Sequence, residues 1–450
     1  MTIINWISFA ILIFIVAFIT FKTQKKTKNA QSYFVSNKKT TLFALVATLV
    51  MTELNTSTLV GFASLGYHYG FSAVSLALVF LIGLLFYAIS VAKKWKSFDG
   101  ISITTYFEKR YNKSIGYVSA IILLLAMIGF SANYIKSLTL IFAPLFPGLN
   151  EWTLSGLFCL IMSLITLRGG LKSIIQIDII SFLITLVIFP LIFYISYSTY
   201  HTPSFAPIVK VGSQFPLSML IALIIITMFT YILAPWYGQK IFSANSPKTA
   251  FRAVAIAAVI ISAFYALAIL AASFLLDQPK IHIQAQEAIP YLIHNHFPIV
   301  IQGIAYAVLF FIASTTLVGL WNTIASVFIA HHHTVLKKTS LKTSMITTGI
   351  IAIFSYVLAN VFIDQIFQKM VLMNIPIAAL AFSLLGGFYW KRVSSIACAL
   401  STLVGFGGGS WCYLYFGEPS YMWYWAVFVI PASFIVGVIA TLIFPRAEVS

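Results

Sequence analysis

One stretch of the chain, TTLFALVATLVMTELNTSTLVGFA at residues 40–63, is long and apolar enough to cross a lipid bilayer as a helix, yet it is polar at its centre. A spanning helix needs about 20 mostly apolar residues. Residues 51–58, MTELNTST, put six polar side chains near the middle of this span. Because every backbone group in hydrocarbon needs an internal partner and every charge there is costly, polar residues at this depth point to a functional site.

The composition of the whole chain is that of a membrane protein. Of its 450 residues, 60% are hydrophobic and 8% are charged, whereas an average soluble domain carries about 25% charged residues. Apolar segments recur from residue 3 to residue 444, and no polar block between them is long enough to form a soluble domain. We therefore predict one all-α integral membrane domain with about thirteen spanning helices.

The predicted spans begin at the amino terminus with an uncleaved helix, because no basic segment precedes it and no small-residue cleavage site follows it. Two more polar stretches, 101–112 and 277–297, are predicted to form an interfacial helix and an outer loop with a short helix. The spans lie near residues 3–21, 40–63, 71–92, 115–143, 151–167, 171–199, 216–240, 247–276, 298–332, 342–363, 367–389, 394–416 and 422–444.

The positive charge of the chain reports its topology. The formal net charge is +17, but the 27 Lys and Arg residues are scattered through short loops and form no basic face for nucleic acid. With the amino terminus outside, all of them except Lys136, Lys210, Lys280 and Lys369 fall on the cytoplasmic side, where positive residues collect. This predicts a multi-pass protein of a bacterial-type inner membrane, with its carboxyl terminus in the cytoplasm.

The polar run in the second span (40–63) has two interpretations. A locally unwound helix frees carbonyl and hydroxyl groups that can coordinate a cation or a solute. The candidate side chains are Glu53, Asn55, Ser57 and Thr58. The alternative is a polar seam between packed helices, since Ser and Thr often join helices in membranes.

The ninth span (298–332) carries a second polar point at its middle, formed by Ser314, Thr315 and Thr316. Two adjacent hydroxyls at this depth predict the other half of a sodium site made with carbonyls of the second span, because hard cations favour oxygen ligands. The alternative is that these hydroxyls bond only to carbonyls of their own helix.

The seventh span (216–240) contains Pro235, Trp236 and Tyr237 near its end. Pro235 removes a backbone hydrogen bond and thereby kinks or breaks the helix. We predict that the aromatic residues beside the break form a wall of the solute site. Simple bending of a spanning helix is the alternative.

Several ionisable residues lie within spans or at their ends. Asp178 is predicted to be accessible to water from the cytoplasm, on the exit route of an ion. Lys136 lies toward the outer end of the fourth span, where snorkelling and a functional role both stay open. His331, His332 and His333 point in different directions on a helix, so we interpret them as an interfacial anchor and not as a metal site.

Four short motifs in order carry a family resemblance. They are YFVSNK at 33–38, GGLKSIIQID at 169–178, QKIFSA at 239–244 and GGFYWKR at 386–392. With them, nearly the whole chain resembles the sodium:solute symporter family, which contains carriers for proline, pantothenate, sugars, iodide and related solutes. Glu53 stands where the proline-type branch of that family carries an Asp.

The resemblance implies a LeuT-type fold with two inverted five-helix repeats, at 40–199 and 200–389. Residues 1–39 then hold an extra first helix with its cytoplasmic loop, and residues 390–450 hold two C-terminal helices with a short cytoplasmic tail. The implied sodium ligands are the backbone carbonyls of Met51, Leu54 and Ile312 and the hydroxyls of Thr315 and Thr316.

The predicted function is sodium-coupled symport, in which a small organic solute enters by alternating access. The solute is an amino acid such as proline, a sugar, a vitamin or an organic acid. Sodium, the solute and the bilayer are the expected partners, and no cofactor, enzymatic step, nucleic acid or obligatory protein partner is implied. Two alternatives stay open: a proton-coupled carrier of the same fold that titrates Glu53 or Asp178, and a membrane solute sensor without transport.

Overall fold

The computed structural model of the chain describes residues 3–24, 38–98, 102–200, 214–276, 278, 281–332 and 341–446. Within these ranges the ordered elements are helices, and the β-type pairing is one isolated bridge between Thr40 and Ala244. The predicted all-α class is confirmed.

The helices of the first half include the predicted interfacial helix as α6. Short 3-10 segments lie at Gly70–Leu76 and Ala143–Leu145, and a π-helical turn lies at Ala88–Ala92. The α-helices are α1 (Ile3–Gln24), α2 (Leu42–Glu53), α3 (Thr56–Tyr69), α4 (Ala77–Tyr87), α5 (Lys93–Ser97), α6 (Thr104–Arg110), α7 (Lys113–Phe142) and α8 (Glu151–Tyr200).

The helices of the second half include the predicted short outer helix as α12, which a 3-10 turn at Ala285–Glu287 precedes. A second π-helical turn lies at Trp425–Val429. The α-helices are α9 (Leu217–Tyr231), α10 (Pro235–Ser243), α11 (Pro247–Ser273), α12 (Ala288–His296), α13 (Ile299–His332), α14 (Leu341–Val361), α15 (Ile366–Leu372), α16 (Asn374–Ala378), α17 (Ala381–Tyr389), α18 (Ser395–Phe416), α19 (Tyr421–Tyr424) and α20 (Ile430–Ile443).

Within the described residues, seven helical runs are long and apolar enough to cross a membrane, and the number is nine if each of two bent helix pairs is one span. The bent pairs are Leu217–Tyr231 with Pro235–Ser243, at 51°, and Ile366–Ala378 with Ala381–Tyr389, at 40°. Four shorter apolar helices accompany them, and α2 is one of these. The chain is therefore a multi-pass membrane protein, while the total of thirteen spans stays a prediction.

The connection between the fifth and sixth predicted spans differs from the expectation. The predicted spans leave a short cytoplasmic loop at 168–172, but the backbone is helical from Glu151 to Tyr200 and crosses this position. Residues 168–172 contain no proline, the residue that breaks helices most strongly, and glycine alone costs a helix only about 1 kcal/mol. Helical geometry therefore continues through the connection.

The helix of the ninth predicted span lies at the centre of the molecule. In the 18-residue apolar window within Ile299–Phe328, 94% of the residues are buried inside the protein. In the corresponding window within Tyr421–Ile443, 33% of the residues are buried. Helix α13 packs against α1, α7 and α8, whereas α20 leaves Leu442 and Ile443 exposed. Lipid tails solvate such apolar side chains as well as protein does, so the last helix is a peripheral one.

Helices α3 and α11 approach each other closely at a glycine. A Cβ atom at Gly66 would lie 2.5 Å from the backbone oxygen of Ile269, which is too short for a contact between heavy atoms. Small residues allow two helix backbones to meet in this way. The contact holds α3, the second part of the broken span, against α11.

Candidate functional site

The second predicted span is broken at its centre, as its polar run predicted. Helix α2 ends at Glu53 and α3 begins at Thr56, with Leu54 and Asn55 outside helical geometry between them. Asn55 is extended, and its side chain accepts a hydrogen bond from the backbone N–H of Thr58 at 2.8 Å. An Asn in this position satisfies a free N–H group at the start of α3, so the polar sequence itself stabilises the break.

The break faces the middle of α13. The hydroxyl of Thr316 lies 3.3 Å from the backbone oxygen of Met51 and 2.8 Å from that of Ile312. Three of the five implied sodium ligands therefore share one hydrogen-bond network. The other two, Leu54 and Thr315, are also buried.

The Thr315 hydroxyl points to a different partner. It donates to the carbonyl of Phe311 on its own helix at 3.0 Å, in the same way that Ser314 bonds to Phe310 at 2.5 Å. The backbone-bonded alternative therefore describes these two side chains, while Thr316 bonds both to its own helix and across to Met51. The full ligand set stays a prediction.

The donor atoms of this region suit a hard monovalent cation. They are uncharged carbonyl and hydroxyl oxygens in a buried place, which is the donor type that hard cations prefer. Among the residues that the structure describes, no group of three or more His, Cys, Asp or Glu side chains is placed to hold a metal ion. Uncharged oxygen ligands of this kind are those that alkali cations prefer over transition metals.

Glu53 lies at the end of α2 with only 1% of its surface exposed. Its backbone oxygen accepts hydrogen bonds from the Tyr265 hydroxyl and, at 3.1 Å, from the Asn55 amide. Its carboxyl group lies close to Tyr231, and the Oε1 atom has no hydrogen-bond partner among the described residues. A buried carboxylate in this state needs a positive charge or a proton for its stability.

Asp178 forms an ion pair with Lys240, a residue that the sequence analysis assigns to the cytoplasmic side. Its Oδ2 atom lies 2.9 Å from the ammonium of Lys240, and it also accepts a hydrogen bond from the Thr48 hydroxyl. Asp178 is fully buried, so the predicted access of water to it is wrong for this structure. The count of positive residues assigns Lys240 to a cytoplasmic loop, but it is 2% exposed and carries the counter-charge of Asp178.

The seventh predicted span is broken as Pro235 predicted. Helix α9 ends at Tyr231, α10 begins at Pro235, and the two meet at 51°. Trp236 packs edge-on against Phe130 of α7, with ring centroids 5.1 Å apart. The break thus brings an aromatic side chain to the centre of the molecule beside the broken second span.

A cavity lies between the two broken helices. Three of the predicted solute residues, Asn55, Thr58 and Trp236, line it. Its wall is mainly apolar, with seven aromatic residues among sixteen, and four other residues offer amide or hydroxyl groups. The other lining residues are Phe62, Val79, Phe80, Phe130, Tyr134, Leu223, Ile226, Thr227, Tyr231, Phe367, Met370, Val371 and Asn374.

Three other predicted solute or coupling residues, Glu53, Ser57 and Tyr237, do not line this cavity. Ser57 donates to the Ser137 hydroxyl at 3.2 Å, and Tyr237 packs edge-on against Tyr87, with 5.1 Å between ring centroids. Glu53 lies behind Tyr231, which does line the cavity. The residues are therefore arranged as a lining layer and a supporting layer around one central space.

Lys136 and the three histidines at 331–333 are the other residues that the sequence analysis considered. Lys136, for which snorkelling and function were both open, forms an ion pair with Glu151, whose side chain is 61% exposed. His331 and His332 are the last residues of α13, and their side chains lie outside the described part of the chain, as does His333.

Two broken helices that face each other across a buried cavity are the arrangement of the LeuT type of transporter fold. The chain belongs to the sodium:solute symporter family, whose sequence model matches residues 33–405. No curated protein matches the chain.

Solved structures of transporters share the fold. A substrate-bound, outward-open sodium-coupled sialic acid symporter is similar with a TM-score of 0.83 and 21% identity, over 100% of this chain and 99% of that one. A nucleobase-cation-symport-1 family transporter, closed around bromovinylhydantoin, is similar with a TM-score of 0.64 and 14% identity, over 94% and 98% of the two chains. A manganese transporter from Eremococcus coleocola gives a TM-score of 0.52 and 14% identity, over 90% and 95%.

Proposed function

We propose that this protein is a sodium-coupled symporter that imports a small organic solute by alternating access. The observation that carries the proposal is the contact between the Thr316 hydroxyl and the Met51 carbonyl, 3.3 Å apart at the break of the second span. It brings together two oxygen ligands from two separate helices at one point. A sodium ion bound there stabilises one arrangement of α2 against α13, which is what coupling between ion and solute requires.

The sodium site consists of the backbone oxygens of Met51, Leu54 and Ile312 and the hydroxyls of Thr315 and Thr316. Thr316 is already directed at Met51. Thr315 reaches the ion by a rotation of its side chain away from the Phe311 carbonyl, which is 3.0 Å away in this structure. Such a rotation is a small change, because both hydroxyl positions are staggered rotamers of one side chain.

The solute occupies the cavity between the two broken helices. Asn55, Thr58 and Asn374 offer amide and hydroxyl groups, and Trp236 and Phe130 offer flat apolar surface. No Lys or Arg stands among the lining residues in the described part of the chain. This composition favours a neutral or zwitterionic solute, such as proline or another amino acid, a sugar or a vitamin, over an organic acid with a strong negative charge.

One observation favours a second candidate, a proton-coupled carrier of the same fold. The Glu53 carboxyl group is buried, has one oxygen without a partner among the described residues and lies beside the cavity. Intramembrane carboxyl groups of this kind serve as proton relays in some carriers. The two candidates differ in the ion whose gradient drives uptake.

The rest of the proposal concerns architecture and location. The first repeat occupies residues 40–199 and the second occupies 200–389, with one helix added before them and two after them. The protein lies in an inner membrane with its amino terminus outside and its carboxyl terminus in the cytoplasm. It works without a cofactor, an enzymatic step or an obligatory protein partner.

Uptake into proteoliposomes tests the proposal. The purified protein is reconstituted, an inward gradient of sodium or of protons is imposed, and entry of labelled amino acids, sugars, vitamins and organic acids is measured. We expect one class to accumulate only with the sodium gradient. Accumulation driven by the proton gradient and indifferent to sodium contradicts the proposal and selects the second candidate.

A further inference from the structure

The ammonium group of Lys240 is enclosed by oxygen atoms from two other helices. It lies 2.9 Å from Oδ2 of Asp178 and 3.1 Å from the backbone oxygen of Thr48, and it donates to the hydroxyl of Thr52. The side chains of Lys240 and Asp178 are 3% and 0% exposed. A charged amine removed from water to this extent is stable only where oxygen atoms replace its hydration shell.

The fold carries Lys240 into this position. It lies on α10, directly after the break that turns the chain by 51°. Helix α10 is attached to its surroundings at two further points: Gln239 accepts from Thr323 at 2.6 Å, and the backbone N–H of Thr40 donates to Ser243 at 2.9 Å. The ammonium is therefore a cation that is covalently attached to α10 and held at one position between α2 and α8.

The oxygen atoms around the ammonium are the kind of ligands that form a hard-cation site. They belong to a backbone carbonyl, a hydroxyl and a carboxylate, all of which are oxygen ligands. The second carboxylate oxygen, Oδ1 of Asp178, is fully buried and has no partner among the described side chains and backbone groups. The site thus offers one more ligand than the ammonium uses.

We propose that Thr48, Thr52 and Asp178 form a second monovalent-cation site, that the tethered ammonium of Lys240 is its occupant, and that this site binds sodium when the ammonium is removed. The site is separate from the one at Met51 and Thr316, although Thr52 and Met51 are neighbours on α2. Two cations then stabilise α2, the first part of the broken second span. One is the ammonium of Lys240, and only the other comes from solution. The statement that one free sodium ion binds the unmodified protein rests on the proposed function.

The distances from the ammonium to the surrounding oxygen atoms are compatible with its replacement by a sodium ion. Calcium, whose ionic radius is close to that of sodium, holds oxygens at roughly 2.3–2.6 Å. The carboxylate and carbonyl oxygens now lie at 2.9 and 3.1 Å from the nitrogen. A sodium ion closes this gap of roughly half an ångström by lying nearer to the fixed Thr48 carbonyl than the ammonium does, while rotation of the Asp178 side chain brings its carboxylate in and makes Oδ1 available as a further ligand.

The experiment compares three full-length proteins in detergent: the unmodified chain, Lys240→Ala, and Lys240→Ala combined with Asp178→Asn. Alanine removes the ammonium and leaves the space between Thr48, Thr52 and Asp178 open to an ion, and the double variant also removes the carboxylate charge, so it controls for loss of the ion pair. Binding of ²²Na⁺ is measured without solute, and the thermal midpoint is recorded in sodium and in choline chloride.

We expect Lys240→Ala to bind one more sodium ion per chain than the double variant, and to be stabilised by sodium over choline by more than the double variant is. Equal binding and equal stabilisation of the two variants overturn the proposal. A Lys240→Ala protein that unfolds as readily in sodium as in choline, while the double variant stays folded, overturns it too.

Failure of the proposed function has a different signature. The unmodified chain then binds no sodium, whereas the difference between the two variants still tests the second site. An unmodified chain that already binds two sodium ions, with Lys240→Ala unchanged, contradicts the view of Lys240 as the occupant.

Discussion

The hydroxyl of Thr316 lies 3.3 Å from the backbone oxygen of Met51, and this contact joins the break in the second predicted span to the middle of the ninth. The two residues are 265 positions apart in the sequence. Both are buried, and neither carries a formal charge. A cation placed between them is therefore held by dipoles alone, and removal of a single hydroxyl changes its affinity measurably.

Thr316→Ala is expected to raise the sodium concentration for half-maximal uptake by roughly tenfold to a hundredfold. Hydrogen bonds and dipoles directed at a charge contribute about 1.5–3 kcal/mol, and about 1.4 kcal/mol corresponds to a factor of ten. Thr316→Ser keeps the hydroxyl and should stay near the unmodified protein. The measurement is uptake of the transported solute as a function of sodium concentration.

Thr441→Ala is the matched control for that series. The Thr441 hydroxyl is buried and bonds to the carbonyl of Gly437, four residues earlier on its own helix, at 2.7 Å. This is the same local bond that Thr316 makes to Ile312, but it lies on the peripheral last helix. Equal effects of the two alanine substitutions on sodium dependence would contradict a ligand role for Thr316.

Trp236→Ala is expected to weaken solute binding by roughly tenfold or more while leaving the sodium affinity within a factor of about two, because Trp236 lines the cavity and is not one of the predicted sodium ligands. Large aromatic side chains at the centre of a binding site commonly contribute about 2 kcal/mol or more. The half-saturation values for solute and for sodium, measured in the same vesicles, separate the two effects. Trp411→Ala, on an exposed face of α18, should change neither.

Gly66→Ala is expected to destabilise the protein by about 1–3 kcal/mol, since overpacking of a well-packed contact costs that amount. The added methyl group meets a backbone oxygen, that of Ile269, which cannot move without shifting a whole helix. The thermal midpoint in detergent reports the change. Gly407→Ala, where a Cβ meets nothing within 4 Å, is the control and should be neutral or slightly stabilising.

The short outer helix α12 should loosen in acid. His296 is hydrogen-bonded to Tyr200, and partial burial holds its pKa below its ordinary value of 6.5, as burial also does for the pKa of His294. The unfolded chain then binds more protons than the folded one as the pH falls below 6.5, so the stability of this segment is lost in that direction.

Hydrogen–deuterium exchange of residues 288–296 at about pH 8 and about pH 5 tests this effect of the histidines. After correction for the intrinsic pH dependence of exchange, we expect less protection at the lower pH. A protein with both histidines changed to glutamine should show the same protection at the two pH values. Loss of protection in that variant would assign the effect to other groups.

The sequence was sufficient to predict the break in the second span and its meeting with α13. Polar residues at mid-depth are costly in hydrocarbon, so the runs at 52–58 and 314–316 stand out against an apolar background without any knowledge of the fold. Asn55 then acts as the helix cap that its residue type favours.

The ion pair of Lys240 could not be predicted in the same way. A lysine near the end of an apolar segment has the same local pattern whether it faces the cytoplasm or turns inward, and Asp178 is 62 positions away. The turn depends on the 51° break before α10, which is a property of the tertiary structure. The predicted orientation depends on the loops together and not on one residue, so it stays a prediction when Lys240 is taken out of the count.

Most residues that line the cavity could also not be predicted from the sequence. Phe130, Tyr134 and Phe367 lie within predicted spans, where an aromatic residue facing a cavity has the same pattern as one that packs against a helix or faces lipid. Polar residues or a proline in the local sequence predicted Asn55, Thr58 and Trp236, but the polar lining residues Thr227 and Asn374 were missed.

The most direct test of the central claim follows both fluxes in one preparation. Proteoliposomes with no pH gradient are given ²²Na⁺ and the labelled solute that the uptake panel identifies, and entry of both is recorded for the unmodified protein and for Thr316→Ala. We predict that solute accelerates ²²Na⁺ entry, that a sodium gradient drives the solute uphill, and that Thr316→Ala reduces both fluxes together at low sodium. Solute entry that proceeds at an unchanged rate without ²²Na⁺ entry would contradict the account.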